Sequence, residues 1–410
     1  MRIAVAGAGI GGLACAIALA DAGHDVCVYE AAPRVLPLGV GINLLPHAAR
    51  ILKGFGVVEG LLASGVATRE LVYHNRHGQK IWAEPRGLYA GFEAPQISLA
   101  RGALQFGLLE AATQRIGEAR IVRDRRLTAC TQDASRIDFQ LTDSSGGAHT
   151  ESADLLICAD GIHSAARASL YPGEGRPIYS GRTLWRATTY AKPFLSGASM
   201  IMAGHQDQKF VCYPIEPARA DGLQRINWIA ELAIPEFRRR EDWNREGQRE
   251  DFLPRFTAWR FDWLDVPALI TGADSAIYEY PMVDRDPLPR WSHGRMTLLG
   301  DAAHPMYPIG SNGASQAILD VDALARALRA NADPVEALAA YEAERLPATA
   351  AIVRANRQNG PEHCMQLSEE RAPNGFDRIE DVFAPGELQA MADRYKVLTG
   401  MKKAGTGAKA

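Results

Sequence analysis

Gly7, Gly9 and Gly12 stand in the order G-x-G-x-x-G inside MRIAVAGAGIGGLACAIALADAGHDVCVYE, and Gly300-Asp301 lies far downstream in RMTLLGDAAHPMYPIGSNGASQAILD. Between a strand and a helix, the first glycine permits a tight turn, the second lets the backbone approach a pyrophosphate, and the third allows close helix packing. The free N–H groups at the helix start then face the phosphates. Glu30 closes the next strand, 18 residues after Gly12, where its carboxylate can bind ribose hydroxyls; Ala31 follows it and joins the cofactor-binding positions. Asp301 also ends a strand, where it can accept bonds from the hydroxyls of a sugar alcohol. Pro305, Pro308 and Gly310 hold the chain open ahead of a helix at Asn312, and Gly313 keeps its first turn bare. Such a helix N-terminus stabilises negative charge on the edge of a ring being reduced. The two signatures together predict one long dinucleotide cofactor, FAD.

These residues need a framework. Residues 3 to 6 read as a buried strand, 12 to 22 as a helix and 25 to 29 as a second strand, a βαβ opening. An amphipathic helix is predicted over 46 to 55, with Ala49, Leu52 and Phe55 on one face. Residues 155 to 159 form a strand ending in Asp160-Gly161. From 181 to 277 the texture changes to short runs rich in β-branched and aromatic residues (TLWRATTY, SMIMA, KFVCYPI, RINWIAEL), the pattern of an antiparallel sheet. Residues 247 to 271 read as helical, 295 to 300 as a strand, and 312 to 328 and 333 to 358 as helices; the tail after Lys403 reads as disordered.

The predicted fold class is α/β, a discontinuous Rossmann-like FAD-binding domain with an inserted, mainly antiparallel β-sheet substrate domain and C-terminal helices. The expected division is 1–75, 97–180 and 275–360 for the cofactor, 76–96 and 181–274 for the substrate sheet, and 361–410 as a C-terminal segment. A chain of 410 residues with 47% hydrophobic and 23% charged content is of ordinary globular make-up. Its net charge of −3 gives no reason to expect nucleic acid or an anionic membrane. Six scattered cysteines without a C-x-x-C pair make neither a disulfide framework nor a metal site, and fit a reducing cytoplasm. The apolar stretch over residues 3 to 20 lacks a basic leader and closes at Asp21, so it reads as neither signal peptide nor anchor.

The motifs GAGIGG with Glu30, ADGIHSAAR, and GDAAHPMYPIGSNGASQAILD together resemble those of single-component FAD-dependent aromatic hydroxylases, over residues 1 to about 358. That resemblance implies tightly but non-covalently bound FAD, with NAD(P)H as a transient cosubstrate, since no second G-x-G-x-x-G offers it a standing site. It implies O₂ addition at flavin C4a and transfer of one oxygen atom from the hydroperoxide to a phenazine-, benzoate- or phenol-like ring. By the same resemblance Arg101 contacts the ribityl or phosphate part and Leu127 offers backbone to the adenine. Val40 and Gly41 lie beside the isoalloxazine, Asp160 and Asp301 bind the pyrophosphate–ribityl region, and Gly313 and Ala314 supply N–H groups to the pyrimidine edge. The partners expected are a small aromatic substrate and O₂, with no nucleic acid and no membrane, in a monomer or homodimer.

The substrate pocket is expected between sheet and flavin, walled by Tyr213, Trp228, Met202, Met306 and Pro305; His47 is a candidate base or substrate contact. No side chain is assigned as acid or base. Two other readings fit the motifs, a flavin reductase or dehydrogenase that does not activate oxygen and a non-catalytic redox-sensing regulator.

Overall fold

Strands Arg2–Ala6, Asp25–Tyr29 and Leu155–Cys158 are buried along almost their whole length, as parallel strands covered on both faces must be. In the computed structural model, which describes residues 1–35, 40–236 and 245–401, they form the middle of a six-stranded sheet. Its order is Ser292–His293, Met296–Leu298, Leu155–Cys158, Arg2–Ala6, Asp25–Tyr29, Ile121–Val122. All neighbours are parallel except the first pair. Residues 36–39, 237–244 and 402–410, the last including the tail after Lys403, lie outside the described residues.

A second sheet of seven strands runs Tyr278–Asp284, Ile178–Ala191, Gln224–Ala233, Gln208–Pro214, Ser199–His205, Glu70–His74, Lys80–Pro85. Each pairing is antiparallel except Ser199–His205 with Glu70–His74. Two of these strands, Glu70–His74 and Tyr278–Asp284, lie wholly outside the ranges the sequence suggests for a substrate sheet, and Ile178–Ala191 begins just before them. The parallel pairing draws Glu70–His74 in from the chain that precedes the hairpin.

The two faces of this sheet carry different cores. One buries Trp185, Phe210 and Trp228 against Phe252, Phe256 and Trp259. The other carries Met200, Met202, Val211 and Tyr213, and receives Cys364, Met365, Phe383 and Leu388 from the C-terminal segment. The expected helix over residues 247 to 271 is replaced by a 3-10 turn, a four-residue helix, a two-residue hairpin and the helix Val266–Thr271. Pro254 and Pro267 each occupy a helix start, where proline is tolerated, and cannot continue a helix from the preceding turn.

Candidate active site

A cavity of about 390 Å³ lies between the carboxyl ends of the parallel strands and the second sheet. Its cofactor-like wall is built mostly of backbone. Gly7 has φ +104°, and a Cβ there would stand 2.4 Å from the Ala159 carbonyl oxygen. A Cβ on Gly12 would stand 1.9 Å from the Gly7 carbonyl oxygen, whereas one on Gly9 would meet nothing within 4 Å. Gly7 and Gly12 are therefore closed by packing, and Gly9 is the open position facing the cavity. Glu30 accepts the N–H groups of Ala8 at 2.6 Å and Ala32 at 2.8 Å, fixing the loop on both sides of the strand end.

Across the cavity mouth, Asp301 faces the open space. Desolvation by the surrounding cavity walls raises its carboxyl above the usual range, against the pull of His304 and Arg101. Beneath it, Asp320 collects three groups: the Gly300 N–H at 3.1 Å, His304 Nε2 at 2.5 Å and Arg345 Nε at 2.8 Å. Burial works against the Asp320 carboxylate, but His304 and Arg345 outweigh it and hold its pKa below the ordinary value. Arg167, 1% exposed, ties the Asp160-Gly161 turn to the same loop through the carbonyls of Ala302 at 3.1 Å and Ala303 at 2.8 Å. Asp160 Oδ2 accepts the Ala165 N–H at 2.9 Å, while its Oδ1 is buried without a hydrogen-bond partner.

The helix Gly313–Ala330 opens at the cavity with no side-chain cap on its first N–H groups. Its entry is braced from behind, where Asn312 Nδ2 donates to the Tyr395 hydroxyl at 2.7 Å and that hydroxyl donates to Asn356 Oδ1 at 2.8 Å. A helix start left uncapped and facing a cavity suits an electron-rich group.

The opposite wall is built of side chains. Strand periodicity sends Lys209, Val211 and Tyr213 to one face, and Ile229 and Glu231 line the cavity from the neighbouring strand. Asn227 Oδ1 accepts the Gly41 N–H at 2.6 Å, and Arg186 donates to the Gly41 carbonyl at 2.8 Å, so the sheet grips the loop after Val40 directly. The Val40 carbonyl in turn accepts the Arg101 N–H at 2.9 Å. Arg186 Nε is buried with no hydrogen-bond partner, and among the described residues no carboxylate pairs with this guanidinium. Burial raises the Tyr213 hydroxyl, and Arg186 beside it pulls the other way.

Of the residues singled out in the sequence, Gly9, Gly41, Arg101, Asp301, Pro308, Gly313 and Ala314 line the cavity together with Met202, Tyr213 and Met306. Three pocket candidates are placed elsewhere. Trp228 pairs with Cys212, one residue out of phase with Tyr213, so it points to the aromatic face and donates to Thr189 Oγ1 at 2.9 Å. Pro305 is buried in the loop behind the cavity wall. His47 lies on the helix Pro46–Gly54 with both ring nitrogens buried and unpartnered; burial, with Arg345 and Arg50 nearby, pushes its pKa down to about 4. Its ring does not line the cavity. Leu127 and Ala31 lie outside the cavity, Leu127 in the three-stranded sheet beside the nucleotide fold. Arg186, Lys209, Glu231 and Glu362 are cavity residues that the sequence reading did not assign. Alternation along KFVCYPI gives Lys209 once Tyr213 is placed inward, and no comparable signal exists for Glu362.

A family model described as "FAD binding domain" matches residues 1–356. The chain belongs to this FAD-binding family. It is 46% identical over 362 residues to the phenazine 1,6-dicarboxylic acid hydroxylase of Lysobacter antibioticus, covering 87% of this chain and 89% of that protein. It is 34% identical over 400 residues to the 3-amino-4-hydroxybenzoate 2-monooxygenase of Streptomyces platensis, covering 93% and 94%. The fold is shared with Klebsiella pneumoniae HpxO, solved with FAD and uric acid, at a TM-score of 0.73 and 23% identity over 98% of this chain and 93% of that one. The flavoprotein is thus an FAD-dependent aromatic hydroxylase, a monooxygenase with an α/β fold. None of its described helices is long and apolar enough to cross a membrane.

Proposed function

We propose that this flavoprotein hydroxylates a fused heteroaromatic carboxylic acid of the phenazine type, with NAD(P)H and O₂ as cosubstrates. The observation that carries the reading is Arg186, a cavity guanidinium beside Tyr213 with no carboxylate partner among the described residues and a buried, unpartnered Nε. A planar fork of N–H donors in that state is matched by a substrate carboxylate. Val211, Ile229 and Met202 supply the apolar floor on which the rings lie.

The cradle fits FAD. Gly9 leaves room for a pyrophosphate where its neighbours are closed, Asp160 Oδ1 and the uncapped helix start offer unsatisfied groups, and Asp301 faces the cavity. Gly7, Gly9, Gly12, Glu30, Ala31, Arg101, Leu127, Asp160, Asp301 and Pro308 would hold the nucleotide and ribityl parts. Val40, Gly41, Gly313 and Ala314 would flank the ring. The chemistry FAD supplies is two-electron transfer from NAD(P)H and activation of O₂. The chain binds and orients: Arg186 and Tyr213 fix the acid end, Asn227 holds the Gly41 loop against the ring system, and the methionine-lined floor excludes water that would uncouple the reaction. All six cysteines are free and the protein is read as cytoplasmic, a monomer or homodimer.

The test is NAD(P)H oxidation and O₂ uptake by the purified holoenzyme across a panel of one-ring and three-ring aromatic acids, with product mass measured. The reading requires acceleration and a gain of one oxygen atom with three-ring acids. Faster turnover of one-ring acids, or acceleration without oxygen incorporation, overturns it.

A further inference from the structure

The cavity floor changes character along its length. Tyr213 and Lys209 sit on one face of the strand Gln208–Pro214, four residues apart, which at the rise of an antiparallel strand is about 14 Å. Asn227 pairs with Tyr213 and Glu231 with Lys209. Because Asn227 binds the Gly41 N–H, the Tyr213 end abuts the Gly41 side of the cofactor cradle, and the Lys209 end lies further along the strand beside the turn Gly360–Glu362, which packs on Ile309–Ser311. Val211 and Ile229 lie between.

At the Lys209 end three ionisable side chains meet, each at least nine-tenths buried: Lys209 is 3% exposed, Glu231 1% and Glu362 6%. Lys209 Nζ stands 2.8 Å from Glu231 Oε2 and 2.5 Å from Glu362 Oε2. One ammonium therefore serves two carboxylates. Glu231 Oε1 is buried without a hydrogen bond; Arg182 Nε is 3.9 Å from it, close enough to offset charge and too far to donate. Burial disfavours the Lys209 ammonium, but the two carboxylates outweigh it and raise its pKa. Burial also raises Glu362, against the pull of Lys209. A merely structural cluster would satisfy its acceptors, since an unpaired buried carboxylate oxygen is costly. This one has more acceptor capacity than donors, and it lines a cavity.

We propose that Lys209, Glu231 and Glu362 form a distal substrate subsite that accepts a hydrogen-bond-donating group, a hydroxyl, amino or ring N–H, at the far end of a fused polycyclic substrate. The inference rests on the substrate reading above. Arg186 is level with Ile229 and Val211 in register, and its guanidinium turns to the Gly41 carbonyl, away from the Glu231 row, so on this reading a one-ring acid held there covers Val211 and Ile229 and a longer fused system extends to the cluster. Glu362 follows the stretch matched by the family model, on the short turn Gly360–Glu362. Distal specificity is thus set partly by the C-terminal segment.

The experiment compares a phenazine monocarboxylate with its counterpart bearing a hydroxyl on the ring remote from the carboxylate, using holoenzyme. In Glu231→Gln, kcat/KM for the hydroxylated compound falls at least tenfold more than for the unsubstituted one, through KM rather than kcat. Kd from flavin absorbance titration shows the same difference. Glu362→Gln, which lies outside the sheet, serves if Glu231→Gln does not fold. Equal loss on both compounds in the variant assayed makes the cluster structural and overturns the proposal. Failure of the unaltered holoenzyme to turn over either three-ring acid, while it oxidises one-ring acids, instead overturns the substrate reading on which it rests.

Discussion

The cofactor wall of the cavity is made mostly of backbone, and the substrate wall is made of side chains. On the first, glycines, a helix start and strand ends present N–H groups, and Glu30, Asp320 and Arg167 hold the loops that carry them. On the second, Arg186, Tyr213, Lys209 and Glu231 reach into the cavity from neighbouring strands. A backbone site tolerates very few residue types at its critical positions, so it leaves a motif. A side-chain site needs only the right parity along a strand and leaves its identity free to vary, as the different acids named for the two curated relatives illustrate.

The most direct way to break that contrast, and the one with the largest expected effect on flavin content, is Gly12→Val. With a Cβ already 1.9 Å from the Gly7 carbonyl oxygen, the helix must move off the strand. An overpacking cost of about 3 kcal/mol, taken from cofactor binding, is about a hundredfold in affinity. Purified protein should lose its visible flavin absorbance. Full flavin content in this variant would show that the glycine wall is not what shapes the cradle.

Asp320→Asn tests whether the side chains behind the cofactor wall only support it. The substitution leaves Arg345 buried without its carboxylate and weakens the bond to His304. Breaking one partner of a buried charged set costs about 3–5 kcal/mol. Thermal unfolding should show that loss together with weaker flavin retention, and KM for substrate should change little. The folded-state pKa of Asp320 is depressed, so its stabilisation is complete above the unfolded value and drains away as pH falls through the folded one. Asp320→Asn should lack that acid limb. A variant with unchanged stability and a changed substrate KM would refute the division of labour.

The same contrast explains what was legible in the sequence. The glycine and Gly-Asp motifs were readable because Gly7 at φ +104° and Gly12 in contact with backbone admit nothing larger. The strands of the large sheet were readable from their β-branched and aromatic runs, which match Ile178–Ala191, Ser199–His205, Gln208–Pro214 and Gln224–Ala233. Their facing was not. Aromatic residues occur on both faces, and only the pairing of Cys212 with Trp228 decides that Trp228 turns away from Tyr213. Glu362 was invisible for a different reason, since a carboxylate on a short C-terminal turn gains meaning only when the fold sets it against Lys209. The expected helix over 247 to 271 shows apolar spacing competing with proline, and proline sets the helix starts.

The smallest effect separates the two faces of a single sheet. Trp228 and Tyr213 are both large, buried aromatics on adjacent strands, so burial alone assigns them the same importance. Their chemistry differs because one faces Phe210 and Phe252 and the other faces the cavity beside Arg186. Trp228→Phe removes packing and a hydrogen bond to Thr189, a loss of about 2 kcal/mol, and should leave kcat/KM within about twofold. Tyr213→Phe keeps the ring and removes only the hydroxyl. Stability should change by about 1 kcal/mol or less, while kcat/KM for the aromatic acid falls by about 1.4 kcal/mol in transition-state terms, or tenfold. Steady-state kinetics and chemical denaturation on the two variants give a crossed pattern if the cavity face is assigned correctly. If both variants lose stability alone, Tyr213 is as structural as Trp228, and the acid end of the substrate is held by Arg186 without it.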